Sequence, residues 1–223
     1  MLAPTIQQGA GLVNAFQALT ATTIISPSEL ALNDTVRRKN FYNIKISNIG
    51  NKPALYKISH HGAALTTGAQ EGNDQLLSQP VYSADYADVY IWPTNFKLEP
   101  GQSRMITVRF QAPRKAEAAL LPIFSGFIYV SNNVDEKVAH IPYAGVVGNY
   151  KDASILVRNT PSGIVTGLLS ATGDFVSNGQ TMNVTASGAF PILLVTAWTS
   201  RIVFMDVISG KGNVLHGFNP SNF

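Results

Sequence analysis

The sequence predicts an all-β fold: one β-sandwich, preceded by a short helix and followed by part of a second β-domain. Three observations carry that expectation. Apolar and polar residues alternate in several short runs, the pattern of strands with one buried face. Turn-forming residues punctuate those runs at short intervals. Only 13% of the 223 residues are charged, against about a quarter in an average soluble domain.

The first element is the run QQGAGLVNAFQAL, Gln7 to Leu19. Leu12, Phe16 and Leu19 share a helical face, with Val13 and Ala15 beside them, and Gly9 and Gly11 lead into it. A helix over residues 7–19 is expected, with little in the neighbouring sequence to bury its stripe. β-branched residues and Pro27 then switch the period, and a strand is expected through Leu30 and Leu32. In FYNIKIS, Tyr42, Ile44 and Ile46 alternate with Asn43, Lys45 and Ser47. The turn residues Asn48 to Pro53 lead to Ala54, Tyr56 and Ile58 on one face. These two strands are expected to pair antiparallel.

Residues 62–87 are Gly-rich and polar with weak periodicity, so a long loop with at most one short strand is expected there. Pro100-Gly101 signals a type II turn. The alternation Ile106, Val108, Phe110 follows it. APRKAEAALLP is the one internal helical stretch, closed by Pro122. The runs SGFIYVSN and KVAHIPYAGVVG complete the set.

Counting gives about seven strands in residues 28–148, the spacing of an immunoglobulin- or fibronectin-style sandwich. No Cys-Trp-Cys or tyrosine-corner signature is present, so the fibronectin type III-like form is preferred. Its inward set is Tyr42, Ile44, Ile46, Tyr56, Ile58, Ile106, Val108, Phe110, Ile128 and Val130. Past Tyr150 the chain becomes Gly-, Thr- and Asn-rich, then offers strands at Ile192–Trp198 and Ile202–Ile208. Three segments are therefore expected: 1–21 with the helix, 22–149 as the sandwich, and 150–223 as an incomplete second β-domain.

Composition narrows the function classes. The net charge is +3, and Arg37-Arg38-Lys39, the only basic cluster, reads as a solvated turn. A nucleic-acid surface needs more basic residues on one face. With no cysteine, disulfides, zinc-thiolate sites and a cysteine nucleophile are excluded. No apolar leader follows Met1. The most apolar window, Ala189 to Trp198, is far short of the about 20 residues that a membrane span requires.

A search for chemistry ends without a constellation. The histidines are His60, His61, His140 and His216. Neighbours on a strand point to opposite faces, so His60 and His61 cannot share one ion, and both are expected on the surface at a strand end. Asp85, Asp88, Asp135 and Glu136 are expected as solvated turn carboxylates. No G-x-S-x-G elbow occurs, and neither PSGIVTG nor GAGLVNA fits a phosphate loop. No catalytic, cofactor-binding or metal residue is assigned, and no cofactor is expected. Asn33-Asp34-Thr35 and Asn183-Val184-Thr185 are sequons, which makes Asn33 and Asn183 glycosylation sites if the protein is secreted.

The opening run resembles the last helix of a subtilisin-like serine peptidase catalytic domain, through Gly9, Gly11, Leu12, Val13, Asn14, Ala15, Ala18 and Leu19. SPSELALND, KISNIGNKPALYKISH, FKLEPGQSRMITVRFQAP, LPIFSGFIYV and HIPYAGVVGNY follow in the order of the fibronectin-like domain of large subtilases. The style is similar to fungal secreted subtilases and the streptococcal C5a-peptidase type. PILLVTAWTSRIVFMDVI is similar to the strand pair that opens the next β-domain in those proteins.

The family's D-[TS]-G, H-G-T and G-T-S-M-A motifs, which bear its catalytic triad, do not occur here. The resemblance therefore implies the non-catalytic C-terminal portion of a serine endopeptidase. Residues 1–21 would be the remnant of its catalytic domain, and Met1 an internal methionine or the product of a partial gene model. It further implies an extracellular parent, whose own catalytic domain and protein substrates are the partners, with no nucleic acid and no membrane span. The alternative is a free-standing protein- or glycan-binding β-sandwich module.

Overall fold

Alternation in the sequence becomes alternation in burial. In the computed structural model, which describes residues 1–70, 73–135, 138–153, 166–181, 191–195, 206–208 and 214–217, the strands are β1 (Thr23–Ser26), β2 (Leu30–Ala31), β3 (Tyr42–Asn48), β4 (Ala54–Gln70) and β5 (Asn73–Ser83). They continue with β6 (Asp88–Trp92), β7 (Asn95–Leu98), β8 (Ser103–Gln111), β9 (Ile123–Asn132) and β10 (Ala139–Val146). One sheet runs β1-β3-β8-β6 and is antiparallel throughout. The other runs β2-β10-β9-β4-β5, with β7 also on β4; β2 is parallel to β10, while β9 is antiparallel to β10 and β4, and β7 to β4.

All ten residues expected to point inward are buried, and they join one core with Leu30, Leu32, Leu98, Phe124, Ile141 and Tyr143. The fold is thus a β-sandwich of the fibronectin-like kind. Gly101 takes φ 78 in the turn before β8, the left-handed position that a type II turn gives to glycine.

Four expectations from the sequence are corrected. First, β3 and β4 do not pair; they lie in different sheets. An apolar face is buried equally well beside a partner strand or across the core from one, so alternation alone does not choose. Asn48 helps make the choice: its buried side chain donates to Lys52 O and Leu98 O and accepts from Gly50 N–H at 3.0 Å. These bonds fold the turn over from one sheet to the other.

Second, residues 62–87 are mostly a hairpin of β4 and β5, not a loop. Ala63, Ala64, Leu65 and Thr66 are buried consecutively, and a strand covered on both faces shows no period of two. Ala64 N–H donates to Leu2 O at 3.0 Å, so the N-terminal residues help cover it.

Third, residues 7–19 are not one helix. Two short ones form, α1 (Thr5–Gln8) and α2 (Ala15–Thr20). Gly9 and Gly11 sit at φ 58 and 91, which ends α1, and Asn14 caps α2 by accepting from Gln17 N–H at 3.0 Å. Fourth, the internal helical stretch is only a 3-10 turn, Ala118–Leu120, closed by Leu121 at φ 47.

The chain divides into two compact units, Met1–Glu71 with Leu76–Ala153, and Gly72–Gln75 with Ser154–Phe223. The second contains two antiparallel pairs, β11 (Gly167–Leu169) with β12 (Ile192–Leu194), and β13 (Asp206–Ile208) with β14 (Val214–Gly217). The expected strands at Ile192–Trp198 and Ile202–Ile208 are described only over β12 and β13; residues 196–205 lie outside the described residues.

Candidate interaction surface

The N-terminal residues reach the sandwich and then leave part of themselves uncovered. Thr5 is buried on β9 and β10: its N–H donates to Ser125 Oγ at 3.1 Å and its hydroxyl to Tyr143 O at 3.0 Å. Gln7 Nε2 donates to the Tyr82 hydroxyl. His140 Nε2 meets Ala10 O at 2.7 Å, a geometry in which the imidazole N–H donates. Gly126 lets the core close beneath this seat, because a Cβ there would stand 2.6 Å from both Tyr143 Oη and His61 O.

Beneath the seat, His60 Nε2 lies 2.8 Å from the Tyr143 hydroxyl. His60 is in the middle of β4 and half-buried, not on the surface at a strand end. Burial pushes its imidazole down to about 4, with a smaller push from His61. Burial also raises the Tyr143 phenol well above its ordinary value. His61 is exposed, its ring against Tyr129. Among the described residues, His60, His61 and His140 bond no serine or threonine hydroxyl, while His216 stands on β14.

α2 behaves differently. None of its residues is buried; Phe16 is 77% exposed and Leu19 87%, with Leu12 and Val13 exposed beside them. Next to it a groove of about 390 Å³ is lined by Phe16, Gln17, Thr22, Thr23, Val134 and Asp135 among others. Asp135 is the polar anchor of this groove, not a plain turn carboxylate. It accepts from Thr22 N–H and Thr22 Oγ1, from Thr23 Oγ1 and from Asn132 Nδ2 at 2.8 Å. Partial burial opposes ionisation, but the bonds from Asn132, Thr22 and Thr23 outweigh it and hold the carboxyl below its ordinary value. Sequence reading missed Asp135 because Thr22 and Thr23, which bring it to the groove, are 113 and 112 residues away.

The remaining positions do not converge. Asp85 accepts from Ser83 Oγ at 2.9 Å, and Asp88 lies 4.0 Å from Arg114; Glu136 is outside the described residues. Arg37 is exposed, but Arg38 is half-buried, donates to Val146 O and lies 4.7 Å from the centre of the Phe124 ring. The basic cluster is therefore only partly a solvated turn.

Asn33 is exposed at φ 58, and its sequon partner Thr35 accepts from Gly148 N–H. Between them, Asp34 is buried and accepts from the backbone N–H groups of Arg37 and Tyr150. Those bonds, Arg37 N–H first, hold its carboxyl low against the opposing effect of burial. Asn183 lies outside the described residues. Among the described residues no group of three or more His, Asp or Glu side chains gathers as a metal site, and no helix is long and apolar enough to cross a membrane.

Comparison with known proteins bears on the sandwich. A family model described as an Fn3-like domain matches residues 30–144, just over half of the chain. No curated protein matches it. Among solved structures, the chain is similar to the ASH/PapD-like domain of human CEP192, at 12% identity, covering 62% of this chain and 94% of that one, with a TM-score of 0.42. It is also similar to the CsuC-CsuE chaperone-tip adhesion subunit complex of Acinetobacter baumannii (12% identity, 81% and 91% covered, TM-score 0.36). A third is SSP-19, an MSP-domain protein of Caenorhabditis elegans (10% identity, 54% and 96% covered, TM-score 0.31).

Proposed function

Since the chain belongs to the Fn3-like domain family, we propose that it is the non-catalytic accessory portion of a subtilisin-like serine endopeptidase, a group in which this domain is found. One observation carries the reading. The run whose motif resembles the closing helix of a subtilase catalytic domain stands directly before the sandwich, with its apolar residues Leu12, Val13, Phe16 and Leu19 exposed. A helix as short as α2 is marginal in water without tertiary contacts. A catalytic domain supplies that cover, while the sandwich stabilises it and shapes the approach of protein substrates. The parent is extracellular in this reading, which makes Asn33 and Asn183 available for glycosylation.

A second reading, a free-standing protein- or glycan-binding module, is favoured by a different observation. α1 is hydrogen-bonded to the sandwich through Thr5, so part of the N-terminal segment already has a partner within the chain. Reading the genomic DNA in frame upstream of Met1 separates the two. A G-T-S-M-A motif there is the expected result, and a promoter followed by a signal-peptide codon run would overturn the accessory reading.

A further inference from the structure

The outer face of the four-stranded sheet carries side chains that neither the core nor the N-terminal segment uses. Strand register places them: Asn43 lies opposite Thr107, and Thr107 opposite Trp92, so these three form a row across β3, β8 and β6. Beside that row, Lys45 is opposite Met105 and Arg109 opposite Tyr90. Trp92 is 74% exposed and Tyr90 58%. Two residues apart on one strand, they point to the same side. A single exposed aromatic is ordinary, but two rings side by side, with the exposed Met105 beyond Trp92, make a patch.

The charges on this face are mainly positive. Lys45 and Arg109 have no ion-pair partner among the described residues. The groove beside Arg109 is also lined by Arg38, Lys39 and Asn40. The single carboxylate on the face, Asp88, is the one that neighbours Arg114. Asn43 Oδ1 accepts from the Thr107 hydroxyl at 3.1 Å, which leaves its Nδ2 amide as a donor toward solvent.

We propose that this face binds an anionic polysaccharide of the uronic-acid class. The apolar faces of successive sugar rings lie on Trp92 and Tyr90. Carboxylates meet Lys45 and Arg109, and ring hydroxyls meet the Asn43 amide. The combination of two flat rings with only a pair of cations argues for this polymer over others. From the register, Lys45 and Arg109 are about 14 Å apart, four residues along and one strand across. A nucleic-acid surface needs more basic residues on one face than this pair. An acidic peptide matches the cations but has no flat ring faces for the aromatic pair. This site is on a different face from α2 and does not depend on the accessory-domain reading.

Affinity electrophoresis of the full chain through gels containing polygalacturonate tests the proposal, with dextran, poly-glutamate and oligo-dT as alternative probes. Retardation by polygalacturonate is expected, weakened by salt, and at least tenfold lower affinity in Trp92→Ala and in the double variant Lys45→Gln/Arg109→Gln. Thermal midpoints should be unchanged in these variants, because all three side chains are exposed, and Phe16→Ser should bind like the parent. Absence of retardation, equal retardation of parent and variants, or tighter binding to dextran, poly-glutamate or oligo-dT would overturn it. So would self-association by sedimentation that is lost in Trp92→Ala.

Discussion

Replacing His60 with Gln should flatten the response of the sandwich to mild acid. In the native protein the imidazole bonds the Tyr143 hydroxyl at 2.8 Å and is held down at about 4, by burial first and then by His61. In the unfolded chain a histidine titrates near 6.5. The fold therefore favours the neutral ring. Its contribution is complete above about pH 6.5, declines as pH falls from there to about 4, and is gone below that. At about 1.36 kcal/mol per pH unit the ceiling is about 3 kcal/mol. Because the ring is only half-buried, solvent screening leaves about 1 kcal/mol.

Asp34 and Asp135 are held below their ordinary value, so their contributions are present above it and lost only in stronger acid. The two windows separate. Urea unfolding of parent and His60→Gln at about pH 7 and about pH 4.5 reads the difference, since glutamine keeps a hydrogen-bonding group near Tyr143 but does not titrate. An equal loss of stability in both proteins, or no loss in the parent, would refute the reasoning.

Ile106→Ala, at a fully buried position, should cost about 2–5 kcal/mol in urea unfolding, whereas Ile24→Ala on the exposed side of β1 should stay within about 0.5 kcal/mol. Gly126→Ala should lower the thermal midpoint, because its Cβ would meet Tyr143 Oη and His61 O; a midpoint equal to the parent's would show that the packing around Tyr143 yields. Amide hydrogen exchange should be nearly unprotected in α2 and strongly protected in the strand Ile106–Phe110; equal protection would mean that the segment is covered within the chain. A serine-directed fluorophosphonate probe should leave the purified chain unlabelled, and labelling that is abolished by mutating one serine would refute this.

Much of the sandwich was legible because its strands bury one side only. Ile44, Ile106 and Val108 alternate with polar residues in the sequence and are fully buried in the structure. Strand pairing was less legible. Nothing local in FYNIKIS or ALYKISH says whether the two share a sheet; the long-range bond from Asn48 to Leu98 O helps decide it. The Ala63–Thr66 stretch hid a strand because both of its faces are covered. The interaction surface was half legible. The apolar stripe of α2 could be read from spacing, but the seat of α1 depends on Ser125 and Tyr143, and the groove beside α2 on Asp135, all distant in sequence. The aromatic face was hidden for a related reason: Tyr90 and Trp92 share one strand, but Lys45 and Arg109 come to the same face only through register across three strands.

The accessory-domain reading rests on a parent peptidase, and the native product in the source organism tests it most directly. An antibody raised against residues 22–149 can be used to probe the secreted proteins after labelling with a fluorophosphonate. A band far larger than this 24.0 kDa chain, carrying the serine label, is the predicted result. A single unlabelled band at the size of this chain would contradict it.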